Sequence, residues 1–193
     1  MKGYYLRFAL AWLISVGVGC TSAPVRYYTL TAPPDNTVPS SETTLPIDVR
    51  VLHAPPQLNR SELMVRTGPT EMTLLENERW ASPVSDEIKD ALRVALQRRL
   101  SRMAALRPTL TRLTLELDVQ HFEAELGRYA LLEASWSATS SVRATTCTFR
   151  AEEKVHSGYA GMVEGYQREI AALADAIVAV LASQASGIEV SCH

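Results

Sequence analysis

Hydrophobic and polar positions along the chain fall into a small number of clear periods. Leu113, Leu115, Leu117 and Val119 alternate strictly with Thr114, Glu116 and Asp118, a period of two that buries one face of a strand and wets the other. This predicts a strand over 111–119. The apolar register then slips at Phe122, which predicts a bulge near Gln120 and His121. Gly127-Arg128 reads as a turn into a strand over 129–139, and 142–152 reads as another. Three sequential strands on short turns predict antiparallel pairing. Upstream, Ile47, Val49 and Val51 alternate with Asp48 and Arg50 in a strand over 47–52 that Pro55-Pro56 ends. The stretches 62–67 and 70–75 read as a hairpin about Gly68-Pro69. The aromatic and β-branched run at 27–30 reads as a short opening strand, followed by a loop over 32–46 rich in Pro, Ser and Thr.

Two segments change the period from two to about 3.6. Val84, Ile88, Leu92, Ala95, Leu96 and Leu100 make one apolar stripe, so a helix buries that face and turns Lys89, Arg93, Gln97 and Arg98 elsewhere. Ser82 is placed to cap it, Pro83 to occupy its first position, and Asp86 and Glu87 to sit at its positive end. The second helix covers 158–186, with Val163, Tyr166, Ile170, Leu173, Ile177 and Leu181 on its stripe and Gly187 as its stop. The order of elements predicts an α+β class: a single domain in which two main helices pack on one face of a largely antiparallel sheet.

The first residues follow a different pattern. Lys2 and Arg7 precede the uncharged, mostly apolar run FALAWLISVGV, and small residues then lead to Cys20, which is the layout of a secretory signal. The run is too short to cross a bilayer as a permanent span. Gly17-Val18-Gly19-Cys20 resembles the bacterial lipobox, with Gly17 where a branched aliphatic residue is usual. That resemblance implies cleavage between Gly19 and Cys20 and a Cys20 carrying diacylglycerol and an N-linked acyl chain, with no other cofactor. Several buried acyl chains make an effectively permanent anchor, whereas one is marginal. Thr21, in place of an Asp, favours delivery to the outer membrane. The alternative is an ordinary signal cut near Ala23, leaving a soluble periplasmic protein. The expected organisation is a signal over 1–19, a lipidated tether over 20–26, the α+β domain over 27–187 and a tail over 188–193.

Composition adds exclusions. Apolar residues make up 47% and charged residues 21%, which excludes collagenous, fibrous and wholly disordered chains. Beyond the signal, 17 basic residues face 21 acidic ones, a balance that gives nucleic acid no reason to bind. His53, His121, His156 and His193 are scattered without metal-ligand spacing, so no metal is expected. No P-loop, dinucleotide fingerprint or nucleophile elbow is present, and no catalytic residue or enzyme activity is expected. Gly161-x-x-x-Gly165 is flanked by Glu164, Gln167, Arg168 and Glu169 and reads as close packing against a sheet rather than as a membrane helix pair. Arg93, Arg98, Arg99, Arg102 and Arg107 read as a solvated face that complements the end of the first helix, the alternative being contact with lipid headgroups or an acidic partner. Cys147 and Cys192 either pair, tying the tail to a strand, or stay two separate thiols.

Taken in order, several segments resemble the PqiC family, the auxiliary lipoproteins of ABC-type and mammalian-cell-entry (MCE) lipid transport systems. They are Tyr27-Tyr28-x-Leu30, Pro56-x-Leu58 leading to Leu63-Met64-Val65-Arg66, and Arg79-Trp80-Ala81-Ser82-Pro83-Val84. Phe122, Trp136 and Gly158-Tyr159 with Met162-Val163 complete the series. Tyr27, Tyr28, Trp80, Pro83, Trp136 and Tyr159 are its structural motif residues, and Trp80 reads as an anchor at a loop-to-helix junction. The resemblance implies a lipid-anchored subunit at the periplasmic face of the outer membrane. It further implies a homo-oligomeric ring that docks a PqiB-like MCE partner, moves lipid between membranes and supports envelope integrity. A stand-alone lipid- or peptidoglycan-binding lipoprotein is the other reading of the same anchor.

Overall fold

The computed structural model describes residues 23–33, 45–104, 112–140, 144–186 and Cys192; the expected signal, Gly19, Cys20, Arg107, Gly187 and His193 lie outside them. In chain order the elements are β1 (Arg26–Tyr28), β2 (Ile47–His53), a single 3-10 turn (Pro56–Leu58), β3 (Glu62–Arg66), β4 (Met72–Trp80) and α1 (Val84–Ala104). They continue with β5 (Leu113–Glu125), β6 (Tyr129–Ser140), β7 (Ala144–Lys154) and α2 (Tyr159–Ala185). The class is α+β, as the periods predict.

The strands form two sheets, a four-stranded one ordered β2-β5-β6-β7 and a three-stranded one ordered β1-β4-β3. The meander β5-β6-β7 is antiparallel, but β2 runs parallel to β5 and β1 parallel to β4. The expected largely antiparallel single sheet is therefore corrected to two mixed sheets. The reason is the crossover: β2 reaches β5 only through β3, β4 and α1, and a connection that carries a helix across a sheet returns the chain in the same direction.

Leu113, Leu115, Leu117 and Val119 are buried on the helix-facing side, where α1 meets β2, α2 meets β6 and β7, and the helices touch each other. The register shifts between Val119 and His121, so the bulge lies where the apolar slip places it, and Phe122 returns to the core side. The stripe of α1 is inside as well: Ile88, Leu92, Leu96 and Leu100 are fully buried, each contributing about 2 kcal/mol by removal from water.

Several boundaries differ from the pattern. β4 extends to Trp80 because Glu78 and Trp80 pair with β1 beyond the polar break at Glu76 and Asn77. β5 runs through its bulge to Glu125. At the start of α1 the Ser82 hydroxyl donates to Glu87 Oε1 at 2.8 Å, and the Pro83 carbonyl accepts from the amides of Asp86 and Glu87. Pro83 thus precedes the first helical residue rather than occupying it. Of the arginine run, Arg99 spans to α2, where Nη2 donates to Asp175 Oδ2 at 2.9 Å and to the Ala171 carbonyl. Arg98 reaches the carbonyls of Ala32 and Pro33. Those two cations bridge elements rather than standing free in solvent.

The two glycines of the 161–165 motif sit where α2 presses on the sheet. A Cβ on Gly165 would overlap Val155 Cγ1 and lie 3.3 Å from Ala130 Cβ, and one on Gly161 would lie 2.9 Å from the His156 carbonyl. Gly165→Ala is expected to cost about 2 kcal/mol through overpacking, read as a lower urea midpoint at unchanged slope; an unchanged midpoint would show that Val155 moves aside freely.

Candidate functional site

Two constructions at the margin of the core combine charge and aromatic rings. The first is a latch that fixes the N-terminal segment to the domain. The Glu78 carboxylate, buried at the β1-β4 pair, accepts from Arg26 Nε at 2.9 and 3.0 Å and from the Tyr28 hydroxyl at 2.7 Å. The hydrogen-bonded Arg26 guanidinium, helped by Tyr28, holds Glu78 below the usual carboxylate range although burial opposes it. In the first turn of α1, the equally buried Glu87 accepts from the Leu30 amide and the Thr29 hydroxyl, both at 2.8 Å. Gln167 Nε2 on α2 donates to the Thr29 carbonyl. Tyr28→Phe removes one charge-assisted bond and is expected to cost about 1.5 kcal/mol, measured by urea unfolding; no loss would mean that Arg26 alone satisfies the carboxylate.

The second construction is a cleft of about 270 Å³ where the hairpin β3-β4 leans over the bulged end of β5. Its floor is aromatic: the Phe122 and Tyr166 rings stack at 3.9 Å between centroids, and Trp80 tilts against both at 6.2 Å. Burial drives the Tyr166 hydroxyl well above its ordinary range, so it stays protonated. Met64 and Met72 supply adaptable apolar wall. One end is closed by Arg66, whose Nη2 donates to Glu123 Oε2 at 2.5 Å and Nε to Oε1 at 3.1 Å. The Tyr129 hydroxyl donates to the same carboxylate. Arg66 is the chief cause that lowers the Glu123 carboxyl below its usual range.

The residues singled out in the sequence are not gathered in one place. Tyr28 belongs to the latch and Trp80 to the cleft, while Tyr27 points away at 65% exposure. Tyr159 opens α2 with the Arg26 guanidinium 5.9 Å from its ring centroid, so it joins the outer side of the latch. Trp136 is buried in β6 beside Cys147, and its indole N–H has no partner. Cys147 is bonded to Cys192, their Cα atoms 5.2 Å apart. Glu78, Glu87, Arg66 and Glu123 carry most of the polar geometry; Glu87 stood out only as an acidic residue at a helix start and Arg66 only as part of a family segment, Glu78 and Glu123 not at all, because their partners lie about fifty residues away. Among the described residues no group of His, Cys, Asp and Glu is arranged to hold a metal ion. No described helix is long and apolar enough to cross a membrane.

A solved structure described only as an uncharacterized protein superposes with a TM-score of 0.62 at 18% identity, covering 82% of this chain and 99% of that one. A protein from Xanthomonas campestris superposes with a TM-score of 0.56 at 18% identity, covering 86% and 99%. Such identities show a shared fold. No curated protein sequence matches the chain. The profile of the ABC-type transport auxiliary lipoprotein components matches residues 28–178, and the chain belongs to that family. The matched span runs from the latch at Tyr28 through the cleft to the last third of α2.

Proposed function

We propose that this protein is an outer-membrane lipoprotein subunit of an MCE/ABC-type intermembrane lipid transport system, acylated on Cys20 and docking a PqiB-like MCE partner that spans the periplasm. The observation that carries the reading is its membership of a transport auxiliary lipoprotein family, joined to a lipobox-like Cys20 just ahead of the folded domain. The six steps of chain from Cys20 to Arg26 reach at most roughly 22 Å, so the face bearing β1 stays near the headgroups. Val25 and Tyr27 are exposed on that side, where an amphipathic tyrosine suits an interface. The latch gives the tether a firm end, because tension on the anchor is taken up by Glu78 and Glu87 instead of fraying the strand. The role is positional: the anchor holds one end of a conduit, a homo-oligomeric ring of domains binds protein, and no bond is made or broken.

The test combines metabolic labelling with an alkyne fatty acid, membrane fractionation and crosslinking. Cys20 should take up label, co-fractionate with the outer membrane and crosslink to an MCE protein, and Cys20→Ala should lose label and membrane association together. Recovery of an unmodified mature N-terminus by mass spectrometry would refute the anchor, and crosslinks that never include an MCE protein would refute the docking role.

A further inference from the structure

The cleft between the β3-β4 hairpin and β5 holds one polar group that the fold leaves unused. Tyr166 is 2% exposed and lines the cleft. Glu169, Glu123 and Tyr129 lie close enough to act on its hydroxyl electrostatically, but among the described residues none hydrogen-bonds to it. A buried hydroxyl without a partner is costly and rare, so it marks a place where a bond is made to something else. The charged groups of the wall are already matched, Arg66 with Glu123 and Glu62 with Arg79, and His121 faces Glu133 at 3.3 Å. The remaining wall is apolar, made by Leu58, Met64, Met72, Val84 and the ring cluster.

We infer that this cleft binds the neutral acyl end of an aliphatic ligand, an ester or amide carbonyl that accepts from the Tyr166 hydroxyl while its chain lies against the apolar wall. The preference for a chain over a ring follows from the floor. Phe122 and Tyr166 already stack on each other at 3.9 Å and Trp80 meets both tilted, so no two parallel faces stand apart to clasp a flat ligand. Methylenes, by contrast, pack against rings and thioethers in any orientation. Size follows from volume: a cavity of about 150 Å³ holds a six-carbon ring, so one of about 270 Å³ holds roughly ten carbons in proportion. Neutrality follows from the charges, because each ion of the wall has its counter-ion and the nearby Glu123 carboxylate repels an anionic head. Burial keeps the Tyr166 hydroxyl protonated, so it donates and the ligand accepts. A membrane lipid and a free fatty ester both offer such a carbonyl. The inference goes beyond the anchoring and docking reading and stands whether or not Cys20 is acylated.

Photolabelling tests it. The full-length processed chain, held in nanodiscs of a dialkyl ether phospholipid that offers no acyl carbonyl, is irradiated with a diazirine analogue of methyl decanoate, and labelled residues are mapped by mass spectrometry. Saturable label should fall on Leu58, Met64 and Met72, and methyl decanoate should displace it about tenfold better than sodium decanoate or decane. Tyr166→Phe keeps the stacked ring and removes only the hydroxyl; it should weaken the ester about tenfold and leave a diazirine decane unchanged. Met72 is 38% exposed, so Met72→Trp fills the mouth of the cleft without entering the core and should abolish labelling by both probes. Displacement by didecanoyl phosphatidylcholine would assign the carbonyl to a membrane lipid, and displacement by the methyl ester alone to a free ester; either supports the site. Label that does not saturate or lies elsewhere overturns the inference, as does ester labelling indifferent to Tyr166→Phe. Stronger displacement by decanoate than by its ester overturns it too, since the site would then select an anion.

Discussion

Glu169→Leu is expected to stabilise the protein by roughly 3 kcal/mol at pH 7. Glu169 lies on the face of α2 that packs on β6 and β7, is fully buried, and has no well-formed hydrogen bond at either carboxylate oxygen. Burial is the chief cause that pushes its carboxyl from 4.5 up to about 8. The Glu153 carboxylate adds to that rise, while weak hydrogen bonding from the main chain at Glu153 and Leu132 and the Arg168 guanidinium offset only part of it. Arg168 is itself engaged, its Nε donating to Glu153 Oε2 at 3.1 Å.

The sign follows from proton counting. Between pH 4.5 and about 8 the folded protein holds a proton that the unfolded chain has released. Unfolding therefore releases that proton, and stability falls as pH rises through this window, by about 1.4 kcal/mol per pH unit. Urea unfolding of the natural protein and of Glu169→Leu across pH 5–9 should give curves that diverge steadily from pH 5 to about 8 and keep a constant gap above that. Glu169→Gln should flatten the dependence while keeping an unpaired polar group, so its gain at pH 7 should be smaller than that of leucine. Parallel curves for the natural and leucine proteins would show that Glu169 is solvated or paired after all.

Reduction of the bond between Cys147 and Cys192 should lower stability by about 4 kcal/mol through the chain entropy that the unfolded state regains. The two cysteines are 45 residues apart in sequence, so the closed loop contains the whole of α2. Cys147 lies on the helix-facing side of β7, opposite Trp136, and near it Gln184 at the end of α2 donates to the Thr145 hydroxyl. Loss of the bond should loosen that end first. Hydrogen exchange should show faster amides in the last turns of α2 on reduction, together with a lower urea midpoint. A midpoint that shifts by less than about 1 kcal/mol-equivalent would mean the unfolded chain is held compact by other means.

The periodic parts of the fold were legible at once. The strict alternation at Leu113 to Val119 and the stripe from Val84 to Leu100 give strand and helix because one-sided burial demands those spacings, whatever the rest of the chain does. The slip at Phe122 located the bulge for the same reason. The cleft was harder to see. Trp80 and Phe122 stood out as large apolar residues, but nothing near either one in sequence announces that they meet Tyr166. Arg66 and Glu123, Arg26 and Glu78, and Leu30 and Glu87 are pairs from distant segments, and a charged residue in a list looks the same whether its partner is water or a buried carboxylate.

Neighbouring residues were enough to place the strands and helices and to say which face of each goes inside. Local sterics and the burial of apolar side chains act within a few residues, so these properties are written in neighbouring positions. The parallel pairing of β2 and β1, the division of the strands into two sheets, and the meeting of Trp80, Phe122 and Tyr166 emerge only in the folded chain. Those outcomes depend on how far-separated segments compete for the same partners, a balance of packing and desolvation that no local pattern encodes.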